Sequence, residues 1–198
     1  MQIDGPMTRI SSKESCLALA LEPPGNIARD LAAFKRRFFA ELGETSGLFL
    51  PEVAPLAIAH PCSASARSRS ATNCALSEIW MGIGGAFMSG GVIVSQGIIY
   101  LELEGPYEDL VAKAKKAFDT RALVPFSGAP FEAGRGFFLG RSSGSEAERR
   151  IIQAPPVISF RDCSLVVLGL RFGEAPYAAS AWHELGRVKR RSGPSPRL

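Results

Sequence analysis

The chain has 198 residues, 46% hydrophobic and 21% charged, with a formal net charge of +4. That length suits one large domain or two small intertwined lobes, and the apolar content is enough to pack a core. No apolar run reaches the roughly eighteen residues a membrane span needs, and the polar opening "MQIDGPMTRISSKES" has no signal-peptide stretch, so a cytoplasmic protein is expected.

"CLALALE", Cys16 to Glu22, reads as a buried strand, punctuated by "PPG". Asn26 is placed to cap a helix from about Ile27 to Leu42, whose Ile27, Leu31, Phe34, Phe38 and Leu42 share one face, with Gly43 as its C-cap. "PLAIAH" is a short strand. "CSASARSRSATNCALSE" has no periodicity and is expected as a loop made basic by Arg67 and Arg69. "IWMGIGGAFMSGGVIVSQGIIYLELEG" reads as strands broken at Gly84-Gly85, Gly90-Gly91 and Gly97. "PYEDLVAKAKKAFD" is a helix with Pro106 near its start and Leu110, Ala114, Ala117 and Phe118 inward. "FEAGRGFFLGR", Phe131 to Arg141, is the next expected strand. "SSGSEAERRIIQA" gives a short helix with Ser145 as cap and Glu148 three residues on. "PPVISFRDCSLVVLGLRFG" is a long strand region, and "YAASAWHELGRVKRR" closes the core.

The order is mixed, with a strand–helix–strand unit at Cys16 to His60 and another at about Ile98 to Arg141. This points to an α+β fold with helices outside sheets. Residues 1–15 are expected as a flexible N-terminus, 16–191 as a single bilobal domain with a flexible loop over 62–77, and 192–198 as a basic flexible tail. "GRVKRRSGPSPRL" carries Arg187, Lys189, Arg190, Arg191 and Arg197 with no acid, and is read as a solvated, frayed end able to touch a polyanion.

The four cysteines, Cys16, Cys62, Cys74 and Cys163, contain no CxxC pair, which speaks against zinc. Cys16 and Cys163 are expected as buried thiols, and Cys62 and Cys74, flanking one loop, as reduced. Glu102 and Glu104 sit on one face of a strand, about seven ångströms apart, and read as a solvent-facing edge. "GIGG" is too short for a dinucleotide fingerprint. "GRSSGS", Gly140 to Ser145, precedes a helix and offers amides that fit a phosphate, although an ordinary capped turn explains it as well.

The layout resembles the 2H phosphoesterases, the group of 2′-5′ RNA ligase-like proteins and RNA cyclic phosphodiesterases. "CLALALEPPGNIARDLAAFKRRF" is similar to that family's first strand, double-proline exit and first helix. "LPEVAPLAIAHP" falls at its first His-x-Thr/Ser strand. "GFFLGR" falls at the second, where an arginine often follows. "FRDCSLVVLGL" and "AWHELGRVKR" look like its final hairpin. The resemblance implies a bilobal fold of two small sheets with helices packed outside, and a cleft where two histidines act as general base and general acid on a phosphodiester.

Carried over, the first motif lands on Pro55 and Ala57, or one earlier on Ala54 and Leu56, and the second on Gly136 and Phe138. None of these moves a proton. Arg141 alone keeps the type that follows the second motif. The chain's two histidines are His60, at an odd offset from Pro55 that an ideal strand turns away from the cleft, and His183, beside Trp182 in the closing strand. The expectation is therefore a member with no catalytic residues, His60 being the remaining acid–base candidate. Its cleft is expected to bind a nucleotide or RNA end through Arg141, Ser142 and Ser143, with Phe137 or Phe138 stacking on a base. No cofactor, metal or membrane is called for, and a monomer is favoured. Two alternatives stay open: a divergent cyclic phosphodiesterase, and an interaction protein using its basic tail.

Overall fold

A computed structural model describes residues 15–43, 51–60, 69–119, 131–172 and 179–190. The N-terminus to residue 14, Cys62 and Arg67 in the expected loop, and the tail from Arg191 lie outside the described residues.

Strand β1 (Ser15–Glu22) is buried on both sides. Leu19 and Leu21 face the helices, and Cys16, Ala18 and Ala20 face the other way. Helix α1 (Gly25–Leu42) buries Ile27, Leu31, Phe34 and Phe38, the periodic face read from the sequence. Gly43 closes it in the left-handed conformation (φ 69°), its N–H donating to the Phe39 carbonyl at 2.9 Å. The start corrects the expected cap. Pro24, extended at φ −65° and ψ 157°, holds the N-cap position without a side-chain hydrogen bond, and Asn26 is exposed in the first turn.

Strand β2 (Ala54–Ala59) follows, and then helix α2 (Arg69–Trp80). This helix overturns much of the expected loop over 62–77. Its small polar residues hide the periodicity, but Leu76, Ile79 and Trp80 are buried at helical spacing. Each such side chain contributes about 1.5–3 kcal/mol on full burial. The helix also finishes a sheet edge in β8 (Ala179–Lys189). Trp80 Nε1–H donates to the Val188 carbonyl at 3.2 Å, and Asn73 Oδ1 accepts the Arg187 N–H at 3.0 Å. That contact appears only in three dimensions.

The remaining elements are β3 (Phe87–Ser95), β4 (Ile98–Glu104), α3 (Tyr107–Asp119), β5 (Phe137–Arg141), α4 (Glu146–Ile152), β6 (Ser159–Phe160) and β7 (Ser164–Phe172). The expected strand over Phe131–Arg141 is shorter, because Phe131–Gly136 forms a turn. The capping box at α4 forms, with Ser145 Oγ accepting the Glu148 N–H at 3.1 Å. Arg187 and Lys189 belong to β8 rather than to a frayed end. Arg190, just beyond it, places its guanidinium over Trp80 and Phe87, at 5.7 and 5.5 Å.

The described strands form two antiparallel four-stranded sheets, in the orders β2-β1-β7-β8 and β5-β4-β3-β6. The fold is α+β, as expected. The outer faces of both sheets and the helices share one core cluster, including Phe38, Phe87, Leu101 and Phe137. The inner faces share a second cluster, joining Cys16, Ala18, Ala20, Val166 and Leu168 of the first sheet to Tyr100 and Phe138 of the second. Among the described residues no helix is long and apolar enough to cross a membrane.

Candidate functional site

The two strand–helix–strand units, β1-α1-β2 and β4-α3-β5, hold the same place in the two sheets. In each, a central strand pairs antiparallel with an edge strand reached through a helix. The registers match residue for residue. In the first unit Leu21 faces Ala54, Ala20 faces Pro55, Leu19 faces Ala57 and Ala18 faces Ile58, leaving Leu56 as an extra residue. In the second Leu101 faces Phe137, Tyr100 faces Phe138, Ile99 faces Gly140 and Ile98 faces Arg141, leaving Leu139. Both extra residues are buried in the outer core, so each edge strand carries a bulge at the equivalent point.

The bulges change which residues share a face. Pro55 lies opposite Ala20 on the inner face, whereas Ala57 lies opposite Leu19 on the outer one, so these two do not project together. Superposed by register, the counterparts of Gly136 and Phe138 are Val53 and Pro55, two residues before Pro55 and Ala57 and one before Ala54 and Leu56. The bulge also reverses the offset of His60. Alternation carried past Ala59 puts this exposed histidine on the side of Pro55 and Ile58. Its counterpart in the second unit is Ser143. His183 pairs with Gly169 on the opposite face from Trp182, its ring lying over the space where Gly169 has no side chain.

Where the two edge strands approach, the contact is packed and apolar. Phe138 is 1% exposed, and its ring centroid lies 6.2 Å from Tyr100 and 6.0 Å from Phe131, leaving no face open for a base. Val53 and Phe131 belong to the same buried cluster. Hydrogen bonds fix the approach. The Pro55 carbonyl accepts the Gly134 N–H at 2.7 Å and the Tyr107 hydroxyl at 3.5 Å, and that hydroxyl in turn accepts the Gly136 N–H at 3.0 Å. Tyr100 Oη accepts the Glu132 N–H at 2.7 Å. Gly136 has φ 109°, and a Cβ there would stand 2.1 Å from the Leu101 carbonyl oxygen. The backbone here has no room for any side chain, a histidine included.

The Gly140–Ser145 loop does hold an anion, and the anion is the protein's own. The carboxylate of Glu148, 2% exposed, accepts the Ser142 hydroxyl at 2.6 Å, the Ser143 N–H, the Ser143 hydroxyl at 2.9 Å and the Gly144 N–H at 3.2 Å. Burial works to raise its pKa, but the hydrogen bonds from Ser142, Ser143 and Gly144 outweigh this and hold the carboxyl below its ordinary value. The donors expected to meet a ligand through Ser142 and Ser143 are therefore engaged. Arg141 is exposed at the end of β5, opposite Ile98. The sequence held a signal for this arrangement. Glu148 stands at the reciprocal position of the capping box, but its carboxylate turns to the loop instead of to the cap residue's N–H.

An open groove of about 800 Å³ lies at the other end of the inner face of the first sheet, where Glu22, Ser164, Trp182, Arg187 and Lys189 meet the start of α1. Sequence reading did not single it out, because it gathers residues from β1, β7 and β8. Arg187 forms ion pairs with both Glu22 and Glu184. Among the described residues no group of three or more His, Cys, Asp or Glu side chains is placed to hold a metal, and Glu102 and Glu104 are not part of one. No protein-family model matches the chain, and no curated protein is significantly similar to it.

Proposed function

We propose that this chain is a 2H phosphoesterase-like protein that binds a nucleotide or RNA end without hydrolysing it. One observation carries the reading. Two strand–helix–strand units with matching registers and matching bulges bring their edge strands together, and the equivalent positions there carry Val53 and Pro55 on one side and Gly136 and Phe138 on the other. A two-histidine mechanism needs groups that exchange protons near neutral pH at those positions, and these residues have none. The paired units support the likeness to the 2H layout, and the apolar packing of Phe131 and Phe138 speaks against turnover there.

The experiment offers the full chain 2′,3′-cyclic nucleotides and short 2′-5′-linked oligonucleotides, and measures both binding and product. The expected result is saturable binding with no product above the protein-free rate. Failure of every nucleotide and RNA end to bind sinks the proposal. A second reading, a divergent cyclic phosphodiesterase, draws on the bulge that turns His60 toward the inner face. It requires turnover that His60→Ala abolishes.

A further inference from the structure

Register places Glu22, Ser164 and Lys189 in one row across β1, β7 and β8, with Ala20, Val166 and Arg187 in the row beside it. The first row, Arg187 and the start of α1 line the groove described above. Two independent features give it a chemistry. The first is Ser164, whose side chain lines the groove, is only 5% exposed, and has no hydrogen-bond partner among the described residues. A buried hydroxyl without a partner is costly unless something in the groove completes it.

The second is the start of α1. The N–H groups of Gly25, Asn26 and Ile27 have no intrahelical acceptor, Pro24 supplies no cap, and the first turn contains no acid. Pro24, Gly25 and Ala28 line the same groove. The local charges agree. Glu22 is paired with Arg187 and Glu52 with Lys35, and the cations Lys189 and Arg190 also line the groove.

We propose that this groove is a phosphate site, in which the first-turn amides of α1, the Ser164 hydroxyl and the Lys189 ammonium hold a phosphate or phosphomonoester. A tetrahedral dianion has enough acceptor lone pairs for all of these donors, and a helix N-terminus favours its charge. Trp182, 48% exposed on the same face, lines the groove farther along β8, where a base or sugar attached to the phosphate meets it. The proposed donors belong to neither edge strand of the apolar junction, although Val53 lines both places, and the site stands without the 2H relation.

The test follows the fluorescence of Trp182, the chain's only other tryptophan being the buried Trp80. The full chain is titrated at low ionic strength with inorganic phosphate, with AMP and with adenosine. Phosphate and AMP are expected to give saturable changes and adenosine none. Lys189→Ala, Ser164→Ala and Gly25→Pro are each expected to weaken phosphate about tenfold, the scale of one lost hydrogen bond to a charged group. Gly25→Pro suits the helix, since proline is favoured at its first position, Pro24 is already extended and a Cβ at residue 25 meets nothing within 4 Å.

No saturable change, or affinities that all three variants leave intact, overturns the site. AMP binding that ignores the three variants removes this site but keeps the nucleotide-binding reading. Phosphate binding that depends on them, with no nucleotide or RNA bound anywhere, does the reverse.

Discussion

Replacing Glu148 by glutamine tests whether a self-supplied anion organises the loop before α4. The wild-type carboxylate receives four hydrogen bonds, from the Ser142 and Ser143 hydroxyls and the Ser143 and Gly144 amides. Hydrogen bonds to a buried charge are worth about 1.5–3 kcal/mol each when broken, but they share one group and are not additive. Glutamine keeps the volume and one acceptor oxygen, while its amide N–H groups face donors. The net loss is about 3 kcal/mol, which for a chain of this size lowers Tm by roughly 6–12 °C. The sign with pH is fixed by the lowered carboxyl pKa. The advantage of wild type over Glu148→Gln is fully present above the unfolded glutamate pKa of about 4.3, and disappears as pH falls through the lower folded value. Scanning calorimetry of both proteins from neutral pH into acid measures this gap. A second variant, Glu148→Ala, leaves the donors facing open space. Acetate should then raise its Tm more than that of wild type, at an ionic strength matched with chloride. A neutral-pH gap below about 1 °C, or a Glu148→Ala protein indifferent to acetate, refutes the reasoning.

Gly136→Ala should cost at least about 3 kcal/mol or prevent folding, because the new Cβ meets the Leu101 carbonyl at a positive φ; a wild-type urea midpoint would contradict this. Burial holds the Lys35 ammonium down to a pKa of about 8 against the opposing pull of Glu52, 3.8 Å away. The unfolded chain therefore binds more protons than the folded one between about pH 8 and 10, and stability rises with pH there. Lys35→Met should be more stable than wild type by about 1–3 kcal/mol at pH 7, the difference shrinking toward pH 10 in urea titrations. Burial pushes the Cys16 thiol up to about 12 and Cys163 up to about 11, while Cys74 is exposed. Brief iodoacetamide treatment of the native protein should label Cys74 and spare Cys16 and Cys163 in a peptide map.

The elements legible in the sequence are those whose signal is local. The apolar face of α1 and its glycine cap, the inner face of α3 at Leu110 and Ala114, and the Ser145 cap of α4 all come from spacing within one helix. What escaped depends on partners distant in sequence. Helix α2 has few apolar residues, and it takes its place by covering β8 through Asn73 and Trp80. The two bulges were invisible for the same reason. Nothing within "APLAIA" marks Leu56 as extra, and only pairing with β1 shows it. A strand read with ideal alternation thus missed the bulge that moves the residues after Leu56 to the other face.

The site reading changed for a related physical reason. A sequence shows which residues are able to bind an anion, but not whether the protein has already supplied one. The Gly140–Ser145 loop and the start of α1 look alike on paper, each a short turn of small residues before a helix. At α4 a glutamate sits within reach and takes the loop's donors. At α1 the first turn has no acid and the cap is a proline, so among the described residues its amides and the nearby Ser164 hydroxyl stay unmatched. The difference rests on one side chain three residues past the cap. At α1 that position is Ile27, which turns into the core, and a carboxylate cannot take its place without burial that leaves it unpaired. The packing that gives α1 its apolar face is thus also what keeps its N-terminus open to an external anion.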